Sequence, residues 1–411
     1  MQTDSSAGRP APGGYAERVA ILSATRTPIG RYGGSLKGRP AVELGAIAAR
    51  AAIERAGLEA SAVQEVVFGQ GIQAGAGQNP ARQVLRRSGV PDAVGAVTVN
   101  MVCGSGMKAL QLGSALVRAG DFDLVLVGGM ESMSNAPYLV DPSVRWGSPP
   151  GPHVLEDAMQ HDSLVDAYDE HELMGLTGER VARKLGLSRD DVDRFGLRSH
   201  LRASSAVANG VFDAEIVPVP ADPSVRSPGL GRDEGPRPDT TLEKLAHLPP
   251  VFVKDGVCTA GNSSKLSDGA SALVLASERE VRRRGASPLA WIHSAEESGV
   301  APRDVMEAPI PTVRKHLERT GLSPSSFDRV EHNEAYASAS IAVQRAFAFP
   351  DERFNVHGGA VALGHPIGSS GARIVVTLVH SLVREHGRLG LATLCMGGGN
   401  GLSLVVERSP A

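Results

Sequence analysis

Two cysteines and a histidine are the residues of this 411-residue chain best suited to covalent chemistry. Cys103 lies in Val-Cys-Gly-Ser-Gly, which follows a β-branched run and precedes a helical pattern. A thiol in the first turn of a helix is close to the positive end of the helix dipole, so we expect its pKa to fall from about 8.5 toward neutrality. Cys103 is therefore a candidate nucleophile, against the alternative of a small buried residue in a tight turn.

His365 and Cys395 lie in two glycine-rich segments near the C-terminus. His365 belongs to Gly-His-Pro-Ile-Gly, where Pro366 could be the first residue of a helix. Cys395 opens Cys-Met-Gly-Gly-Gly after an apolar run, and glycines such as Gly397 would leave backbone N–H groups open to an anion. Two thiols and one imidazole could divide the roles of nucleophile, base and acid, and this set favours acyl transfer through a thioester.

The elements that must position these residues alternate between β-branched runs and Ala/Leu-rich stretches. This alternation predicts an α/β fold in which crossover helices connect the strands. The unbroken apolar run 123–130 also predicts a strand that is buried on both faces. The predicted strands of the first part are 19–22, 63–68 and 123–130, and the predicted helices are 41–56, 80–87 and 104–119.

The same pattern recurs near the C-terminus, with a helix at 368–385 and apolar runs at 389–394 and 402–406. This repetition predicts two similar α/β halves. Between them, Pro/Gly-rich connectors surround one helical stretch, 177–209, in which Ser188 and Asp191 have the spacing of a capping box. We predict a flexible tail (1–16), an N-terminal half (17–132 with 267–288), an inserted loop domain (133–266) and a C-terminal half (289–411).

Composition excludes several classes of function. The chain has 45 acidic and 42 basic residues and no long Lys/Arg run, which argues against nucleic-acid binding. Three scattered cysteines are too few for a disulfide framework or a zinc cluster, so we predict a reducing compartment and no metal site. No apolar run approaches the roughly 18 residues of a membrane span, and no signal region is recognisable. We therefore expect a cytoplasmic enzyme.

The motifs together resemble those of the thiolase family, the acetyl-CoA C-acyltransferases and C-acetyltransferases. The agreement runs from Val19 to Arg408 and covers the Cys103 segment, Asn333-Glu-Ala-Tyr, Gly-His-Pro-x-Gly and Cys-x-Gly-Gly-Gly in the same order. The resemblance implies the thiolase-like fold, with a layered α/β/α/β/α core and an inserted domain for CoA and substrate specificity. It also implies ping-pong cleavage of 3-ketoacyl-CoA, or the reverse Claisen condensation.

The resemblance implies a role for each catalytic residue. Cys103 corresponds to the nucleophile, His365 to its base, and Cys395 to the acid/base at the α-carbon. Asn333 corresponds to a residue that holds a water, and this water lines one oxyanion hole together with His365. The backbone N–H groups of Cys103 and Gly397 correspond to the other oxyanion hole.

The resemblance also implies a CoA tunnel, with CoA and acyl-CoA as substrates and no permanently bound cofactor. Arg237 would lie at the nucleotide end, where a guanidinium can pair with phosphate. A homodimer or homotetramer is implied as well. The residues that correspond to the tunnel are Leu164, Met174, Arg237, Ala260, Ser264, Ala335 and Tyr336.

Several residues depart from the family pattern. Where many members have His before Met-Gly, this chain has Leu173, and His171 is a possible substitute. We expect Lys265, which replaces a usual glycine, to be a solvated loop lysine, and Cys258 to be structural. The other departures are His332 for an apolar residue, Tyr336 for Phe, and Val-Met-Glu-Ala-Pro at 305–309 for Met-Gly-x-Gly-Pro.

Three other functions use part of this chemistry. A β-ketoacyl synthase-like condensing enzyme shares the fold and the nucleophile but pairs its cysteine with two histidines. An inactive thiolase-like acyl-CoA-binding protein would lack a catalytic residue. A cysteine hydrolase needs only a Cys and a His, and would leave Cys395 without a role.

Overall fold

The computed structural model describes residues 17–148, 150–168 and 171–408, and the predicted tail 1–16 lies outside the described residues. The strands are β1 (Val19–Arg26), β2 (Gly30–Arg31), β3 (Glu65–Gly69), β4 (Gly95–Val99), β5 (Leu124–Ser132), β6 (Tyr138–Val140), β7 (Leu155–Asp157), β8 (Ser267–Ser277), β9 (Ala290–Gly299), β10 (Arg329–His332), β11 (Leu389–Met396) and β12 (Asn400–Glu407). The helices are α1 (Ala41–Arg55), α2 (Pro80–Arg87), α3 (Ser105–Ala119), α4 (Met174–Lys184), α5 (Arg189–Ala208), α6 (Leu242–Ala246), α7 (Glu278–Arg284), α8 (Pro309–Thr320), α9 (Ala337–Phe347), α10 (Ala360–Leu363) and α11 (Ile367–Arg384).

The two halves repeat one strand pattern. In the first half the order is β4-β3-β5-β8-β1, with parallel pairs at β4–β3 and β3–β5 and antiparallel pairs at β5–β8 and β8–β1. In the second half β10, β11, β12 and β9 repeat the sequence of β3, β5, β8 and β1, with one parallel and two antiparallel pairs, and β4 is additional to the repeat. The prediction of two similar α/β halves is therefore confirmed.

The halves join into one sheet through β1 and β9, which pair antiparallel with Val19 opposite Ile292. Every residue of β5 is buried, as its unbroken apolar run predicted. Helices α3 and α11 pack against each other, and α11 contacts strands of both halves. One apolar core combines side chains from these two helices with residues of both sheet regions.

The remaining helices complete the layers. Helices α1 and α2 cover the other face of the first half, where their apolar side chains form a separate core with those of β3, β5 and β8. Helices α8 and α9 pack beside the strands of the second half. The α/β/α/β/α arrangement follows from these contacts and agrees with the predicted fold class.

The prediction of one helix over 177–209 is wrong, because the segment forms α4 and α5 with a break at residues 185–188. Gly186 adopts φ +61°, which turns the chain after α4. Ser188 then caps α5, with its side chain accepting from Asp191 and the Asp191 side chain accepting from Ser188. The predicted capping box is thus real and begins a new helix.

The segment between β5 and β8 contains little β-sheet. It forms the antiparallel pair β6–β7 and a few isolated β-bridges. Helix α5 packs against α9 and α10, which places the segment over the second half. In the part of the chain that the structure describes, no helix has the length and apolarity needed to cross a bilayer. The residue boundaries assigned to the halves and the insertion stay a prediction.

Candidate active site

Cys103 lies in a 3₁₀ turn, Val102–Gly104, immediately before α3. The turn is tight, since Val102 adopts φ +49°. Ser105 stabilises it by donating to the Val102 carbonyl at 2.7 Å and accepting from the Met101 N–H at 2.9 Å. A Cβ at Gly104 would collide with the Met396 sulfur, so the Met396 side chain of β11 would have to move to admit one.

His365 lies between α10 and α11 with its imidazole against the predicted nucleophile, Cys103. Its Nε2 is 3.3 Å from the Cys103 Sγ, and its Nδ1 is 2.5 Å from the Ser370 Oγ. Ser370 donates its own proton to the Pro366 carbonyl at 2.9 Å, so it accepts from Nδ1–H. The unprotonated Nε2 therefore faces the thiol. Pro366, predicted as a possible first helical residue, is instead the N-cap of α11, which begins one position later at Ile367.

The Cys103 thiol and the His365 imidazole are both neutral in the absence of substrate. Burial raises the pKa of the Cys103 thiol, and the nearby Cys395 raises it further, whereas the backbone N–H groups of Gly397 and Cys103 lower it. Burial lowers the pKa of His365 to about 3, with a contribution from Arg373. The expectation that the helix end lowers the Cys103 pKa toward neutrality is wrong, because desolvation of the thiolate outweighs the favourable dipoles.

Two backbone N–H groups point at the Cys103 sulfur. The N–H groups of Gly397 and Cys103 both hydrogen-bond to the Cys103 sulfur and lower the pKa of its thiol. The chain turns sharply after β11 through Gly398 and Gly399, whose φ angles are +89° and +84°. This turn brings the Gly397 N–H to the same point as the first residues of α3. The pair forms a polar cradle for charge that develops next to the sulfur.

Asn333 follows β10 and is fully buried. Its Nδ2 is 3.4 Å from the His365 Nε2. Its Oδ1 has no hydrogen-bond partner among the described residues. A buried amide oxygen requires a donor, and a water or a substrate group would supply one. The geometry is suited to the predicted role of holding a water beside His365.

Cys395 lies near the end of β11 and is 2% exposed. Burial raises its pKa to about 12, so it is a thiol at neutral pH. Its sulfur lies 3.8 Å from the Met306 Sδ, which accepts from the S–H. The sequence marked the loop 305–309 only as a departure, and its contact with Cys395 was not foreseen.

The predicted CoA residues fall into two groups. Ala335 is in an apolar cluster with Cys395, and Met174 and Tyr336 pack against this cluster. Leu164 packs against another cluster, which Cys103 also contacts.

The second group lies farther out. Arg237 and Ala260 line a cavity of about 170 Å³. Ser264 connects the groups, because it is adjacent to Lys265 at this cavity and its N–H donates to the Ala335 carbonyl at 2.9 Å.

The departures differ in their positions. The prediction of a solvated Lys265 is wrong, because its amine lies within hydrogen-bond distance of three backbone carbonyls. His332 is buried, bonds to the Ser340 Oγ at 2.9 Å and stacks on Phe354.

Leu173 and His171 are exposed, and the His171 Nδ1 is 3.2 Å from the Asp166 carbonyl. Cys258 is buried, in keeping with a structural role.

Glu131 is a site residue that the sequence reasoning missed. Its buried carboxylate accepts from the N–H groups of Gly71, Ile72 and Gly368 at 3.0, 3.3 and 2.9 Å. Gly368 is in the first turn of α11, so Glu131 caps the helix that follows His365. Burial raises its pKa to about 8. An acidic residue at the end of the buried run 123–130 was the available signal.

Two family models account for almost all of the described chain. The model for the thiolase N-terminal domain matches residues 19–279, and the model for the thiolase C-terminal domain matches residues 286–408. The chain belongs to the thiolase family. It is an acyltransferase, as the motifs predicted.

Named relatives agree with this membership over nearly their whole lengths. The chain is 46% identical to an acetyl-CoA acetyltransferase of Pseudomonas aeruginosa, over 95% of this chain and 99% of that protein. It is 45% identical to a probable acetyl-CoA acyltransferase of Staphylococcus epidermidis, with the same coverage.

Solved thiolase structures share the fold. The acetyl-CoA acetyltransferase of Bacillus anthracis superposes with a TM-score of 0.92 at 39% identity, over 95% of this chain and 99% of that one. Human mitochondrial 3-ketoacyl-CoA thiolase in complex with CoA gives a TM-score of 0.91 at 38% identity, over 96% and 98% of the two chains.

Proposed function

We propose that this thiolase cleaves 3-ketoacyl-CoA with CoA, and catalyses the reverse Claisen condensation, through an acyl group on Cys103. The observation that carries the proposal is the His365 Nε2, which is 3.3 Å from the Cys103 sulfur and unprotonated because Nδ1–H is held by Ser370. This geometry allows the imidazole to take the thiol proton at the moment of attack.

In the first stage the Cys103 sulfur attacks the 3-keto carbon while its proton passes to the His365 Nε2. The carbonyl becomes a tetrahedral oxyanion, which the N–H groups of Cys103 and Gly397 stabilise. The bond between the α-carbon and this carbon then breaks, and its electron pair leaves as the enolate of acetyl-CoA. The acyl group remains on Cys103 as a thioester.

In the second stage the enolate takes a proton at the α-carbon from the Cys395 thiol, and acetyl-CoA leaves. The enolate oxygen is stabilised by the protonated His365 Nε2 and by a water on Asn333. The thiol of free CoA then gives its proton to the Cys395 thiolate and attacks the thioester. The Cys103 thiolate leaves and takes back the proton held by the His365 Nε2, and the shortened acyl-CoA is released. Condensation follows the same steps in reverse.

CoA is the substrate that we assign to the cavity and the clusters around it. Arg237 is exposed at the outer end, which suits a phosphate-bearing group, and the apolar clusters around Met174, Tyr336 and Leu164 suit the pantetheine arm and the acyl chain. The human relative whose structure contains CoA supports this assignment.

The alternatives fit the site less well. A β-ketoacyl synthase-like enzyme would use two histidines at the nucleophile, whereas Cys103 here has one histidine and an asparagine beside it. A cysteine hydrolase would leave the buried Cys395 without a task. An inactive acyl-CoA-binding protein would lack one of the catalytic groups, all of which are present. We also propose a cytoplasmic homodimer or homotetramer.

Peptide mass analysis after incubation with acetyl-CoA tests the proposal. We expect one acetyl group on Cys103, release of the acetyl group by free CoA, and consumption of acetoacetyl-CoA when CoA is added. Acylation only at Cys258 or Cys395, or release by water at the rate seen with CoA, would contradict it. Sedimentation of the purified protein tests the oligomer.

A further inference from the structure

We propose that Lys265 is a positioning residue, which ties the segment that carries Arg237 to the segment that carries His365. This inference rests on the proposed roles of His365 and Arg237. It concerns the cavity of about 170 Å³ that Lys265, Arg237 and Ala260 line together.

The side chain of Lys265 reaches the catalytic segment directly. Its Nζ donates to the carbonyls of Val361 and Ala362 at 2.8 and 3.1 Å, at the end of α10 and shortly before His365. The backbone carbonyl of Lys265 accepts the His365 N–H at 3.0 Å. The catalytic histidine is therefore fixed by Lys265 from two directions, through its own N–H and through the turn that precedes it.

The same amine reaches the CoA segment. Its Nζ is 3.3 Å from the carbonyl of Gly235, two residues before Arg237. The Arg237 N–H in turn donates to the His200 Nδ1 at 3.1 Å, and the His200 Nε2 is 3.4 Å from the Lys265 Nζ. Among the described residues Lys265 forms no ion pair with a carboxylate, so backbone carbonyls determine where its amine lies.

The protonation state of Lys265 changes its set of partners. Burial, assisted by Arg237 and Arg31 and opposed by Glu334, lowers the Lys265 pKa to about 7. The ammonium form can donate to all three carbonyls. The His200 Nδ1 accepts a hydrogen bond from the Arg237 N–H, so the neutral imidazole carries its proton on Nε2. Only the neutral form of the Lys265 amine, which has a free lone pair, can accept a hydrogen bond from this Nε2–H. Burial lowers the His200 pKa to about 3, so the imidazole is neutral.

Deprotonation therefore weakens the bond to Gly235 and retains those to Val361 and Ala362. The groups that face the amine are His200 on α5, Arg237, Arg31 and Glu334. The ammonium form joins both segments, whereas the neutral form holds only the catalytic one and His200.

The test uses Lys265→Met, which keeps an unbranched side chain, one atom shorter, and removes its donors. The matched control is Lys315→Met, which removes an exposed cation on α8 that does not line the cavity and leaves the carbonyl contacts of Lys265 intact. Alkylation of Cys103 by iodoacetamide reports the His365 position without a substrate. Because a misplacement of about 1 Å can cost about 100-fold, we expect alkylation to slow at least about 10-fold in Lys265→Met, with a raised KM for CoA, and to change less than about twofold in Lys315→Met.

Lys265→Arg retains N–H donors and should remain nearer to the wild type than Lys265→Met in both measurements. Lys265→Leu, which also lacks donors on a shorter side chain, replaces Lys265→Met if the latter does not fold. A folded variant without donors that keeps the wild-type alkylation rate and the wild-type KM for CoA overturns the inference. A lowered melting temperature as the only change would show a merely structural role and would also overturn it.

His365→Asn separates this inference from the proposed function. If His365→Asn slows alkylation and Lys265→Met does not, the positioning role is wrong and the base assignment stands. If neither variant slows alkylation, the assignment of His365 as the base is wrong, and the positioning role that rests on it falls as well.

Discussion

At the scale of single residues, burial of the site favours the neutral forms of its side chains before substrate binds. Desolvation raises the pKa of Cys103 and lowers that of His365, so the resting pair is a thiol and an imidazole. A thiolate at rest would be exposed to oxidation and alkylation, whereas a neutral pair forms the nucleophile only as the proton moves. The N–H groups of Gly397 and Cys103 then act on the charge that appears during the reaction.

The neutral pair predicts an unusual pH dependence. Since the His365 pKa is about 3, lowering the pH from 8 to 5 does not protonate the base, and the rate of Cys103 acylation by acetyl-CoA should stay level. His365→Asn should lower that rate by at least about 100-fold. Stopped-flow acylation across the pH range checks both, and ultraviolet thiolate absorbance at pH 7 should match that of Cys103→Ala. An inflection near pH 6.5 that His365→Asn removes would contradict the prediction.

Arg237 gives a second prediction at this scale. Arg237→Ala should raise the KM for CoA more than it lowers kcat, because the guanidinium contacts the carrier and not the reacting carbonyl. Arg232→Ala is the control, since that arginine lies at a different cavity. Steady-state kinetics with CoA as the varied substrate measure the split. Equal constants for both variants would place the nucleotide elsewhere.

The identities of the site residues could be predicted from sequence because short glycine-rich motifs surround them. Their ionisation could not, since desolvation of Cys103 and His365 depends on packing among β11, α3 and α11, which no single motif contains. Lys265 is the clearest case. A lysine in a loop is usually solvated, and only the tertiary approach of residues 235 and 361–362 makes its amine a ligand of backbone carbonyls.

At the scale of elements, helix ends decide where the functional groups lie. Elements such as β5, α3, α11 and β11 could be predicted because their apolar patterns are strong, whereas β4, β8, β9, β10, α8 and α9 were not predicted. The prediction of one helix over 177–209 fails because the helical pattern continues through the capping box that begins α5. Helix α11 shows how a distant strand can fix such an end. Glu131, from β5, accepts the Gly368 N–H and thereby holds the first turn after His365.

Glu131→Ala should lower the free energy of unfolding by about 1–3 kcal/mol, because buried N–H groups of Gly71, Ile72 and Gly368 lose their acceptor. Glu131→Gln keeps one acceptor oxygen and should be milder. Urea unfolding at fixed pH measures both. Equal stability of the alanine variant and the wild type would contradict the role of Glu131 as a cap.

The raised pKa of Glu131 predicts the direction in which the stability of the protein changes with pH. Its folded pKa, about 8, is above the ordinary value of 4.5, so the folded state binds the extra proton between these values. This contribution to stability is complete below pH 4.5 and is lost as the pH rises through 8. Relative to the wild type, Glu131→Gln should therefore gain stability from pH 5 to pH 9. A constant difference across that range would contradict the assigned shift.

At the scale of the whole molecule, the packing of two similar halves explains how the residues of the site come together. Helices α3 and α11 pack against each other between the two halves, and each begins next to a reactive residue, Cys103 in one half and His365 in the other. The end of β11 adds Cys395, and the loop after β11 adds Gly397, both from the second half. The nucleophile and its partners thus meet only when both halves are folded together, and their separation in sequence concealed this geometry.

Because Cys103 and Cys395 have different proposed tasks, we predict that their alanine variants fail at different stages of the reaction. Cys103→Ala should abolish acylation and every later step, because no other group accepts the acyl chain. Cys395→Ala should still be acylated on Cys103 by acetyl-CoA, since proton transfer at the α-carbon is the task that it loses. Mass analysis of the acyl-enzyme and exchange of α-hydrogens with deuterium from solvent distinguish the two stages. If Cys395→Ala exchanged α-hydrogens and cleaved acetoacetyl-CoA at the wild-type rate, Cys395 would be only a buried thiol, and another group would have to transfer the proton at the α-carbon.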